Sequence, residues 1–122
     1  MIPSRANIKG AASFASFAEF WPFYVSQHLN RTNRKLHFVG TTGVLVFALL
    51  GLLGIRRLWL AIPFAGYGPA WLGHWLFEKN RPATFSYPFW SILGDFQMYW
   101  LTLTGRMDAV VEEVERDLSR GA

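Results

Sequence analysis

The chain has no cysteine, so disulfides, zinc knuckles and iron–sulfur clusters are excluded. It is poor in charge: 16% of its 122 residues are Asp, Glu, Lys or Arg, against 52% hydrophobic and 17% aromatic. That balance is unlike an ordinary soluble domain. The basic residues flank apolar segments and form no stripe of their own, which argues against nucleic-acid binding. No GxGxxG or similar nucleotide-cradling loop occurs, nor any internal repeat. Residues 1–10 carry Arg5 and Lys9 with no clean apolar segment and cleavage site behind them, so they read as a flexible leader, not a signal peptide. Histidine is scarce too, and its three copies, His28, His37 and His74, all lie beside long apolar stretches.

What the chain does have is two uncharged runs, 36–55 and 58–77, each of 20 residues and separated by Arg56-Arg57. About 20 apolar residues cross a hydrocarbon core of roughly 30 Å as a helix. The first run is a strong candidate span. The second contains Pro63, Gly66, Gly68 and Pro69, which predicts a span broken at Gly66–Pro69, with Pro69 opening a fresh helix that runs to about Asn80. Folding the runs back at the arginines gives a transmembrane helical hairpin. Its open end gathers Arg31, Arg34, Lys35, Lys79 and Arg81, out of a net charge of +4. That excess favours this end facing the cytoplasm, beside anionic headgroups.

Further helices flank the hairpin. Phe14, Phe17, Trp21, Tyr24, Val25 and His28 recur on one face of residues 11–29, predicting a helix in the membrane interface, kinked or restarted at Pro22. Turn and cap residues follow, so a new helix is expected near Thr32 or Asn33. The stretch 85–104, interrupted by Pro88, Gly94 and Asp95, predicts a helix that packs on the hairpin or dips into the interface. The tail, 107–122, carries Val110, Val111, Val114 and Leu118 among charges, an amphipathic helix. The fold class expected is all-α: one small multi-helix membrane domain, integral to the bilayer.

The hairpin register brings His37 level with Leu76, two residues from His74. At about 1.5 Å per residue that offset is about 3 Å, within reach of one metal ion. Glu78 lies one turn beyond His74 on the same face. Each residue alone has a structural explanation: His28 complements a helix end, His37 bonds a carbonyl at the interface, and His74 pairs with Glu78. Taken together, three imidazoles and a carboxylate at one end of a bundle suit non-haem iron with open positions better than a closed zinc site. Two other readings stay open. His37 and His74 could ligate one haem in an electron carrier, or the chain could be a non-catalytic membrane hairpin.

The strings FAEFWPFYVSQHLNRTNRKLHFVGTT and GYGPAWLGHWLFEKNRPATFSYPFWSILGDFQM resemble the 2-hydroxy fatty acid dioxygenase family of sphingoid-base α-oxidation. The motif GHxxFEKNRPATF carries the resemblance most specifically. It implies a small membrane enzyme that uses Fe2+ and O2 to convert a 2-hydroxy fatty acid to the acid one carbon shorter, with CO2 and water as the other products. That equation balances with the substrate supplying every electron, so no co-reductant is needed. The family's histidines map onto His28, His37 and His74, and its glutamate onto Glu78. An α-hydroxycarboxylate and O2 would take three of six iron positions, leaving three for protein. His37 and His74 are then expected as ligands, with His28 and Glu78 competing for the third place. Arg81 is expected to hold the substrate carboxylate, and Asn80 and Asp95 to support the ligands.

Overall fold

The computed structural model describes residues 14–120; the expected leader, 1–10, residues 11–13 of the first expected helix and 121–122 of the tail lie outside them. The described residues contain five α-helices and no strand. These are α1 (Phe17–Ser26), α2 (Arg31–Leu52), α3 (Ile62–Gly73), α4 (Pro88–Leu103) and α5 (Met107–Arg120). Contacts divide the chain into two units: Asn30–Pro82, and the segments on either side of it.

In the Asn30–Pro82 unit, Asn30 caps α2 by accepting from the Asn33 N–H at 3.1 Å, so the helix opens at Arg31, slightly earlier than the sequence suggested. Its 22 residues give about 33 Å of length. Among the described residues it is the one helix long and apolar enough to cross a membrane. It closes in a Schellman turn: Gly54, at φ +128°, lets the Ile55 N–H reach the Leu50 carbonyl at 3.1 Å. A 3-10 segment, Arg56–Ala61, then leads into α3.

The expected break at Gly66–Pro69 is absent, because α3 runs unbroken through it. Pro63 sits in the first turn of α3, where a missing N–H costs nothing. Pro69 is interior, and close packing against α2 keeps the helix continuous there. A Cβ at Gly40 would lie 3.0 Å from both the Ala65 and Gly66 carbonyl oxygens, and one at Gly43 3.3 Å from the Ala65 methyl. This seam of small residues lets two backbones approach closely, as helices in lipid do. The outward faces stay apolar: Leu52 of α2 and Phe64 of α3 are 74% and 79% exposed.

In the flanking unit, Ser16 caps α1: its Oγ accepts from the Glu19 N–H, and Glu19 Oε2 in turn accepts from the Ala15 N–H just ahead of the cap. Pro22 lies inside the helix without ending it. Phe20, Tyr24 and Val25 form a core with Met98 of α4 and Met107, Val111 and Val114 of α5. Each such side chain contributes about 1.5–3 kcal/mol by burial. A second Schellman turn at Gly105, φ +71°, reverses α4 into α5. As the pattern predicted, α5 is amphipathic: it buries Val111 and Val114, half-buries Val110 and leaves most of its charges exposed.

Candidate metal centre

Just past α3 the helix widens into one π turn, His74–Glu78, a feature frequent at functional sites. Lys79 then enters the left-handed region at φ 56°, and the Asn80 N–H returns to the His74 carbonyl at 3.1 Å. This reversal carries the Asn80 side chain back under the imidazole, where its Oδ1 lies 2.6 Å from His74 Nδ1. A carbonyl oxygen only accepts, so Nδ1 carries the proton and the Nε2 lone pair is left to face a ligand.

His37 lies on the buried face of α2 with Asn33, Arg34, Gly40 and Thr41. Its ring meets that of His74 edge to face, centroids 5.0 Å apart. The backbone register would leave them further apart, since Asn33 is what packs against Gly73. Side chains on a helix tilt toward its N-terminus, and in an antiparallel pair that brings His37 and His74 toward each other.

Glu78 has another engagement. Its Oε1 accepts from the Asn30 N–H at 2.5 Å and from Asn33 Nδ2 at 3.3 Å, tying the end of the π turn to the cap of α2. Asn33 is wholly buried and occupies the space a side chain at residue 73 would need: a Cβ on Gly73 would lie 2.0 Å from its Oδ1. Arg81 is exposed, whereas Arg34, three residues before His37, is 8% exposed. Tyr67 stacks on Trp71, ring centroids 5.3 Å apart.

In the flanking unit, His28 follows the end of α1 and is 1% exposed. Its Nδ1 lies 2.5 Å from the Tyr24 carbonyl oxygen, which again fixes the proton on Nδ1 and leaves Nε2 to bind. The Tyr24 ring stacks on the imidazole, and its hydroxyl donates to Asp95. Burial first, then the charge of Asp95, hold that phenol well above the usual tyrosine range, so it stays protonated. Sequence reasoning counted Tyr24 only as one apolar position in a stripe, and it missed Asn33. The structure joins His37 to His74, His74 to Asn80, Glu78 to Asn30 and Asn33, and Asp95 to Tyr24.

Three buried histidines of this kind could hold a metal ion. A family model described as 2-hydroxy-palmitic acid dioxygenase Mpo1-like matches residues 14–107. The chain belongs to the Mpo1-like family. The Mpo1-like match takes in all three histidines, Glu78, Asn80, Arg81 and Asp95, and ends at the first residue of α5. The Mpo1-like name points to a dioxygenase acting on a 2-hydroxy fatty acid. No curated protein and no solved structure matches the chain.

Proposed function

We propose that this protein is an iron-dependent dioxygenase that shortens 2-hydroxy fatty acids by one carbon at a membrane surface. The observation that carries the reading is the meeting of two buried imidazoles, His37 and His74, 5.0 Å apart between centroids, with the Nδ1 of His74 already committed to Asn80. A histidine whose second nitrogen is held by an oxygen acceptor is the arrangement metal ligands adopt.

The donor set fits iron. Imidazole suits Fe, Zn, Cu and Ni, and an acidic donor is the usual third ligand of a facial triad. Here the third place goes to His28 rather than Glu78. Oε1 of Glu78 is engaged by the Asn30 N–H. We take His28, two residues before Asn30 in the sequence, as the third donor. Bound Fe2+ supplies the one-electron chemistry that lets O2 react with an α-hydroxy acid. Asn80 and the Tyr24 carbonyl hold the proton on each Nδ1, which aims the two rings and makes Nε2 the nitrogen that would take the ion. Glu78 fastens the π turn that carries His74. Arg81, exposed just past that turn, receives the substrate carboxylate in a bidentate pair. Arg34, buried on the face of His37, is the alternative anchor: the KM for 2-hydroxypalmitate should rise in whichever of Arg81→Ala and Arg34→Ala removes the anchor.

A lipid substrate calls for a lipid setting. The outer faces of α2, α3 and the π turn present Val39, Leu49, Leu52, Phe64, Leu72 and Leu76 to the surroundings. We place these against acyl chains, with the basic end of the hairpin at the cytoplasmic headgroups. An acyl chain in the bilayer would then deliver its carboxyl end at the depth of the histidines.

The test is anaerobic purification in detergent, elemental analysis, and oxygen uptake on 2-hydroxypalmitate with the product identified by mass. Expected are about one iron per chain, uptake that ceases with a chelator, and a product one carbon shorter. Chelator-insensitive turnover would remove the iron from the reading. Iron without turnover would remove the substrate.

A further inference from the structure

We propose that Tyr24 and Asp95 are a positioning pair that sets the plane of the His28 ring and strengthens its hold on a metal. The proposal rests on the reading of His28 as a ligand. It goes beyond that reading because neither the phenol nor the carboxylate reaches the metal.

Tyr24 grips His28 twice. Its carbonyl takes the Nδ1 proton at 2.5 Å, which selects the nitrogen but leaves the ring free to rock about that hydrogen bond. Its phenol ring lies flat on the imidazole, centroids 3.9 Å apart and planes 19° from parallel, which removes the rocking. The phenol is itself immobilised. Trp21 stacks on it with an interplanar angle of 13°, and its hydroxyl donates to Asp95 of α4. Gly94 makes the room, since a Cβ there would lie 2.7 Å from the Tyr24 ring.

A core that needed only packing would be served by phenylalanine at 24 and an apolar residue at 95. A buried hydroxyl must find an acceptor, so the Tyr–Asp pair adds a demand that burial alone does not explain. The stack gives it a use. An aromatic face is the negative part of the ring, and hydrogen bonding to a carboxylate makes the phenol still richer in electrons. An imidazole bound to a metal is electron-poor. The contact is therefore more favourable with metal present than without, and the difference appears as affinity.

The experiment is Co(II) titration of the detergent-solubilised full chain, following the cobalt absorption bands, for wild type, Tyr24→Phe, Tyr24→Leu, Asp95→Leu and His28→Ala. Helical circular dichroism and melting temperature are recorded in parallel. Expected is a loss of about 10–100-fold in affinity for Tyr24→Leu, as for other residues that orient a ligand. Tyr24→Phe and Asp95→Leu should lose less, with shifted bands and unchanged helicity. Should Tyr24→Leu fail to fold, the latter two variants decide. Wild-type affinity and bands in every folded variant of the pair, with His28→Ala impaired, overturn the positioning role alone. Unimpaired binding by His28→Ala overturns the ligand assignment and this role with it.

Discussion

Asn80 Oδ1 lies 2.6 Å from Nδ1 of His74, six residues away, because one left-handed residue between them folds the chain back beneath the ring. The contact makes the orientation of His74 depend on an acceptor at position 80. Asn80→Ala should weaken Fe2+ or Co(II) binding by about 10–100-fold, whereas Asn80→Asp, which keeps an acceptor, should bind much as wild type does. Competition titration against a chromogenic chelator measures both. Equal binding by the alanine variant would mean the contact does not orient a ligand.

The left-handed residue is Lys79, at φ 56°. A Cβ in that region costs about 1–2 kcal/mol, a cost glycine escapes. Lys79→Gly should therefore leave thermal stability in detergent unchanged or raised by up to about 1 kcal/mol. Lys79→Val, branched at Cβ, should lower it by about 1–2 kcal/mol. The opposite order would show that the lysine side chain, not the backbone, sustains the turn.

Gly73 and Asn33 should be strongly coupled. Gly73→Ala places a methyl 2.0 Å from Asn33 Oδ1, and such overpacking costs about 1–3 kcal/mol. Adding Asn33→Ala opens the space again. The double variant should be less damaged than the sum of the single ones, with a coupling of about 0.5–3 kcal/mol. Strict additivity in a denaturation series would mean the helices reposition freely there.

Glu78 separates two roles cleanly. Glu78→Ala strips the Asn30 N–H of its acceptor and should cost about 1–3 kcal/mol of stability. Glu78→Gln keeps an oxygen in place and should cost less, while binding metal as wild type does. A folded glutamine variant that no longer binds metal would make Glu78 a ligand.

Much of the helix plan was legible because apolar period and cap residues repeat locally: the start of α2 to within two residues, the valines of α5, and the Arg56-Arg57 interruption. The neighbourhood of His37 and His74 was legible for the same reason. What misled was judging Gly66 and Pro69 by their intrinsic preferences, when tertiary packing against Gly40 decides. The register also differs from a fold at the arginines. The chain turns earlier, at Leu53 to Ile55, and the 3-10 segment that follows rises faster per residue. Nothing in the sequence announces the π turn, nor that Tyr24 and Asp95 meet across 71 positions. Asp95 reads as an interruption of its helix and, through the resemblance, as a support for the ligands, but its partner Tyr24 lies on another helix.

The bonds from Glu78 to Asn30 and Asn33 tie together the two strands of chain that enter and leave the Asn30–Pro82 unit. The opposite end, around the exposed Gly54, has no comparable fastening to perform. A reporter peptide spliced in at Gly54 should therefore leave the histidine pair in register, since doubling a loop's length costs only about 0.6 kcal/mol. That splice point would let an engineered epitope reveal on which side of a bilayer the tip emerges.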